Sequence, residues 1–136
     1  MKIAVDLGVY QTSGDSELMA EVVEVDKDQD FLEVGCGTGI ISIAVAKQAR
    51  HGIGIDINER AVENSKKNAK AQRVTNVDFF VSNVFENVEG IFDVIICNPP
   101  YTKHEAQDNI DRMFWDPEDE MKRKFFKEVG KYLKPD

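Results

Sequence analysis

A chain of 136 residues, 42% of them hydrophobic, has the length of one domain and enough apolar side chains for a core, so residues 1–136 are read as a single globular domain. Its formal charge of −8 argues against a protein that grips nucleic acid by long-range attraction alone. No apolar run reaches spanning length and no basic start leads into a cleavable apolar segment, so no membrane partner is expected and the cytoplasm is the expected location.

In chain order, "GDSELMAEVVEV" places Leu18, Met19, Val22 and Val23 on one stripe and predicts a helix over 16–25, with Asp15 or Ser16 as N-cap. After the acidic turn "DKDQD", the compact apolar run "FLEVGC" predicts a buried parallel strand over 31–36. A helix over 39–49 follows, apolar at Ile40, Ile41, Ala44 and Val45. The pattern repeats: "GIGIDI" is a strand over 52–57, Asn58 caps a polar helix to residue 71, and Val62 and Ala69 face inward. "VDFFVSN" predicts a third strand over 77–83, and "FDVIIC" a fourth over 92–97, because the segment between them is too short for a full helix. In "DPEDEMKRKFFKEVGKYL", Asp116 is an N-cap and Pro117 the first helical residue, with Met121, Phe125, Val129 and Leu133 in helical register. Cys36 and Cys97 have no CxxC spacing or histidine cluster, so two reduced thiols and no metal are expected.

Strands alternating with helices imply right-handed crossovers and a Rossmann-like α/β fold, a parallel sheet with helices on both faces. The expected strand order is third, second, first, fourth. Ligands of such sheets collect at the carboxyl ends of the strands. There lie the glycine loop with Gly35, Gly37 and Gly39, then Asp56, Asn83, and "NPPY" over 98–101.

The loop "EVGCGTG" turns sharply between strand and helix and lets a ligand approach the backbone. A dinucleotide loop requires a third glycine where Ile40 stands, which speaks against a nucleotide-dependent oxidoreductase. Glu33 puts a carboxylate close to the loop, unwelcome beside a pyrophosphate and suited to an ammonium. Asp56 is placed to accept both hydroxyls of a ribose, and Asn83 to meet an adenine edge. Ammonium, ribose and adenine together describe S-adenosylmethionine.

"EVGCGTG", "GIGIDIN" and "NPPY", in that order, resemble class I S-adenosylmethionine-dependent methyltransferases of the small-domain type, in which NPPY is the amine-methylating signature. The segment "GVYQTSGDSELM" is similar to the one preceding the glycine loop in HemK-type protein glutamine methyltransferases and ribosomal RNA guanine methyltransferases. The resemblance implies that Glu33 and the loop backbone hold the methionine part, Asp56 the ribose, Ile57 the adenine face and Asn83 the adenine amine, with Asn98 bordering the cofactor. It also implies that the Asn98 side-chain oxygen and the Pro99 carbonyl accept the two N–H groups of a planar NH2, while Tyr101 stacks on it. The expected activity is N-methylation of a protein glutamine amide or of a nucleobase exocyclic amine, on a protein or RNA partner. A non-catalytic fragment that keeps the fold is the alternative.

The sequence departs from the family pattern in having Asn83 where Asp is usual and no glycine pair after Tyr101. Phe114 and Trp115 are read as helix-entry packing before a lid, and His104 as solvated. The family fold has seven strands, and a segment like "KYLKPD" normally leads straight into the fifth, so a fold lacking its last strands is expected. The fourth strand would then be an edge completed by self-association or by a partner.

Overall fold

The chain is described here by a computed structural model, which covers residues 2–9, 14–98 and 120–135. Its centre is β1 (Asp30–Val34), a strand so apolar that Phe31 and Leu32 have no exposed surface. The other elements are α1 (Gly14–Val22), α2 (Ile40–Ala46), β2 (His51–Asp56), α3 (Glu59–Ala71), β3 (Val77–Val81), β4 (Val94–Cys97) and α4 (Glu120–Glu128), followed by a 3-10 turn, Val129–Lys131. The strands form a parallel sheet in the order β3-β2-β1-β4, as the alternation of elements predicts.

Side chains alternate across a strand, so β1 feeds two cores. Phe31 joins Ile41, Ile43, Val45, Val62, Ala69 and Phe79 on the face covered by α1, α2 and α3. Leu32 and Val34 join Ile55, Phe85, Val88, Phe92 and Phe125 on the face covered by α4 and the loop after β3. Phe85 stacks on Tyr132 there, with ring centroids 4.4 Å apart. Glu33 points to the same face as Phe31, into the packing of α2.

Residues 2–9 run back along α3, held by amides that recur every four residues on that helix. Gln72 donates to Lys2 O (2.8 Å), Asn68 donates to Ala4 O (2.8 Å) and accepts from Ala4 N (2.9 Å), and Asn64 donates to Ala4 O (2.9 Å) and accepts from Asp6 N (2.8 Å). Alternate residues are engaged, as an extended chain presents them, and Lys67 adds an ion pair to Asp6. Nearer the start of the helix, the Asn58 amide donates to Gly8 O at 2.9 Å. Asn64, Ser65 and Asn68 are buried, which the polar reading of this helix missed; each is satisfied by hydrogen bonds, the condition for burying an amide or hydroxyl.

Several boundaries differ from the expectations. Helix α1 starts at Gly14 and ends at Val22, so Ser16 is its third residue and not its cap. Helix α2 stops at Ala46, where Gln48 N and Ala49 N both bond to Val45 O. Strand β1 stops at Val34 because Gly35 takes φ +82° and both Gly35 N and Cys36 N turn onto Ile55 O. Strand β2 runs from His51 to Asp56, and β3 ends at Val81, two residues early, where Ser82 begins a turn. Strand β4 begins only at Val94, since Phe92 pairs instead with Leu133 in an isolated parallel bridge. Leu133 therefore leaves the helical stripe, which the 3-10 turn interrupts. Asp116 and Pro117 lie outside the described residues, as do His104, Phe114 and Trp115.

The two glycines of β2 make room for aromatic rings. A Cβ at Gly52 would sit 2.0 Å from the Phe31 ring, and one at Gly54 2.6 Å from the Phe79 ring. Gly52→Ala is expected to destabilise the fold by about 3 kcal/mol or more through overpacking, read as a lower urea midpoint at unchanged slope.

Candidate functional site

Parallel register brings the carboxyl ends of all four strands to one side. Val34 lies beside Ile55 and Cys97, and Asp56 beside Val81, so the glycine loop, Asp56, the Ser82 turn and Asn98 all leave the sheet at the same edge.

The loop at 35–39 is shaped from both sides. Gly39, at φ +87°, comes so close to α3 that a Cβ would lie 3.1 Å from Ser65 Cα and 3.0 Å from its Cβ. Ser65 donates to Gly37 O (2.9 Å) and Asn68 to Thr38 O (2.9 Å). At Gly35 and Gly37, by contrast, a Cβ would meet nothing within 4 Å. The loop backbone thus presents open space on its outer side. Thr38 Oγ1 is buried with no partner among the described residues.

Asp56 is 5% exposed and braces this loop, its Oδ2 accepting from Gly37 N (3.0 Å) and its Oδ1 from Asn58 N (2.9 Å). Burial raises its pKa, against the backbone N–H groups of Asn58, Gly37 and Ile57. Asn58 is the N-cap of α3, as expected, accepting from Arg60 N. Glu33, 1% exposed, accepts on Oε1 from Ser42 N (3.1 Å) and Ser42 Oγ (2.6 Å). Burial pushes its pKa up to about 8, with Ser42 opposing the rise and the Asp56 charge adding to it. Two buried carboxyl groups behind one glycine loop make a surrounding that gains from a cation. Burial likewise raises the Cys36 thiol well above its usual range, so it is a packed thiol.

Asn83 is half-buried in a fixed turn. Ser82 donates to Val84 O (2.7 Å) and accepts from Asn87 N (3.0 Å), while Val84 takes φ +55°, a conformation that a β-branched residue rarely adopts. Ile57 is also half-buried, one residue beyond Asp56. At the end of β4, Asn98 Nδ2 donates to Ser16 Oγ of α1 at 3.3 Å. Pro99 and Tyr101 lie outside the described residues. Sequence reasoning missed Ser16, Ser42, Ser65 and Ser82 as site supports. A lone serine inside the apolar "IISIAVA" was the available signal for Ser42.

A parallel sheet in this order, with a glycine loop after the first strand and a carboxylate ending the second, defines a Rossmann-like nucleotide-binding fold. The chain belongs to the methyltransferase small domain family, whose sequence profile matches residues 2–133. It is 46% identical over 112 residues to a protein of Methanocaldococcus jannaschii named provisionally as a protein N5-glutamine methyltransferase, the match covering 82% of this chain and 56% of that one. It is 32% identical over 111 residues to the release factor glutamine methyltransferase of Fusobacterium nucleatum, covering 76% of this chain and 31% of that protein. Among solved structures, an RNA methyltransferase from Salinibacter ruber in complex with S-adenosyl-L-homocysteine superposes with a TM-score of 0.64 at 22% identity, over 93% of this chain and 72% of that one. Among the described residues, no helix is long and apolar enough to cross a membrane.

Proposed function

We propose that the chain is the cofactor-binding and catalytic part of an S-adenosylmethionine-dependent methyltransferase acting on a protein glutamine amide. The observation that carries this reading is the convergence of Glu33, the open glycine loop, Asp56 and Asn98 at one edge of the sheet. The names of the relatives at 46% and 32% identity favour glutamine over a nucleobase, a choice the sequence left open. The chain spans only part of those relatives, 56% and 31% of their lengths, so the acceptor and its contacts are part of the proposal. The cytoplasm is the proposed location.

When bound, S-adenosylmethionine would supply an electrophilic methyl on its sulfonium, the C–S electron pair staying on sulfur and the proton displaced from nitrogen passing to solvent. The chain supplies binding and aim. Glu33, behind the loop, faces the ammonium; the 35–39 backbone takes the methionine carboxyl region; Asp56, already fixed by two backbone N–H groups, accepts from the ribose; Ile57 and Asn83 border the adenine. Asn98 Oδ1 and the Pro99 carbonyl accept from the substrate NH2, and Tyr101 stacks on its plane. The amide nitrogen's lone pair is delocalised, so presenting it in a reactive geometry is the main catalytic task.

The test is incubation with methyl-labelled S-adenosylmethionine, a peptide-chain release factor and ribosomal RNA together, followed by mass spectrometry. Label on a glutamine nitrogen is expected; label confined to RNA would overturn the glutamine assignment, and no transfer to either would overturn the enzyme reading. Asp56→Ala is expected to weaken cofactor binding about 10- to 100-fold by calorimetry, the range for a lost hydrogen bond to a charged group. Unchanged affinity would contradict the ribose role.

A further inference from the structure

We propose that Ser16 is a positioning residue for Asn98, holding its amide in the plane that presents Oδ1 to the substrate nitrogen. The proposal rests on the methyltransferase reading above. An asparagine amide is a donor at Nδ2 and an acceptor at Oδ1, and only Oδ1 can accept from a substrate NH2. The torsion that sets the amide plane is broad and roughly two-fold, so the backbone at the end of β4 does not by itself choose the plane or the flip. In the structure a contact from 82 residues away helps to hold that plane: Asn98 Nδ2 donates to Ser16 Oγ at 3.3 Å, with Oδ1 on the other branch of the amide.

Ser16 is well placed to impose an orientation because its own position is set by the core. Helix α1 carries Met19 and Ala20, which pack on the cluster of Phe31, Ile41 and Val45. Residues 2–9 are tied to α3 by the Asn64, Asn68 and Gln72 amides and include a buried Val9. The third residue of α1 and the first residue beyond β4 therefore meet as two anchored points. Ser16 touches Asn98 and acts through it; it is not assigned any contact with the reacting atoms.

The test measures labelled methyl transfer to a release factor by wild type, Ser16→Ala, Ser16→Thr and Asn98→Ala, and by the Ser16→Ala/Asn98→Ala pair. Wild-type transfer is measured first, and its absence would sink the methyltransferase reading and this inference with it. With an active wild type, Ser16→Ala is expected to lower kcat about three- to tenfold, the loss of one ordinary hydrogen bond, with KM and cofactor Kd within about twofold. Ser16→Thr, which keeps the hydroxyl, is expected to recover most of the rate. In the Asn98→Ala background, Ser16→Ala is expected to cost nothing further, because a residue acting only through Asn98 has no target once the amide is gone. The inference is overturned by unchanged kcat in Ser16→Ala, by a loss that appears in cofactor Kd alone, by failure of threonine to recover the rate, or by additive losses in the double variant.

Discussion

Asn98→Ala is expected to lower the rate of methyl transfer roughly 10²- to 10³-fold while cofactor affinity changes less than about threefold, the profile of a lost acceptor for the reacting group. The expectation follows from where the strand ends. The register of β4 against β1 sets Cys97 beside Val34, so Asn98 emerges next to Gly35, the first residue of the glycine loop. A nitrogen held there would face the glycine loop, behind which Glu33 and Asp56 lie. Positioning of this kind contributes on the order of 7–11 kcal/mol in favourable systems, so removing one of two acceptors should cost a minor but easily measured part of it. Single-turnover rates with labelled cofactor, together with calorimetry, separate the two quantities. Normal turnover in this variant would remove Asn98 from its role; lost cofactor binding would move it into the cofactor site.

Cofactor affinity is expected to be bell-shaped in pH with its apex near 8. Glu33 without a cation titrates at about 8, because burial penalises its charged form. An ammonium needs the carboxylate, so binding below pH 8 must release the Glu33 proton, and affinity should fall up to about tenfold for each unit of acidification. Above pH 8 the α-amino group of the ligand, whose ordinary pKa is about 7.7–8.0, loses its own proton and the attraction with it. The sign for stability runs the other way. Glu33 has a raised folded-state pKa, so the folded chain holds a proton that the unfolded chain releases above 4.5, and the ligand-free protein loses stability between that value and about 8. Calorimetry from pH 5.5 to 9 in buffers of different ionisation enthalpy reads both affinity and proton release. Glu33→Gln should flatten the acid limb, and a flat wild-type profile would refute the pairing of Glu33 with an ammonium.

The fold was legible where a single physical signal dominates. Unbroken apolar runs located the strands, and their alternation with helices yielded the strand order. Asn58 announced its cap, and the glycine spacing announced the loop. The polar half of the site was much less legible. Ser42, Ser65, Asn64 and Asn68 sit among inward-facing positions of their helices, and their partners are backbone groups and a carboxylate brought close only by tertiary packing. A pattern that scores apolar residues alone assigns such positions to solvent. Ser16 misled differently. Its preference for helix starts is real, but the helix begins two residues earlier and its hydroxyl meets Asn98. Strand ends were overestimated because hydrophobicity continues past the last ladder bond: at Cys36 the chain has already turned onto Ile55 O.

The asparagine and glutamine ladder on α3 works as a vernier. Four residues of helix advance about 6.0 Å, and two residues of extended chain about 6.6–6.8 Å, so the two scales slip by less than an ångström per rung. Three rungs fit, at Gln72, Asn68 and Asn64, with a cumulative slip of about one to two ångströms that side-chain rotation can absorb. The next mark on the helix scale is Arg60, and no amide stands there: its guanidinium lies against Gly8, and the grip passes to Asn58. The coincidence of scales thus gauges how far the leading segment runs straight before it must bend at Gly8, whose φ is +83°. Since every rung reads peptide groups and none reads a side chain, that gauge is indifferent to which residues occupy positions 2, 4 and 6, provided that positions 4 and 6 keep their N–H.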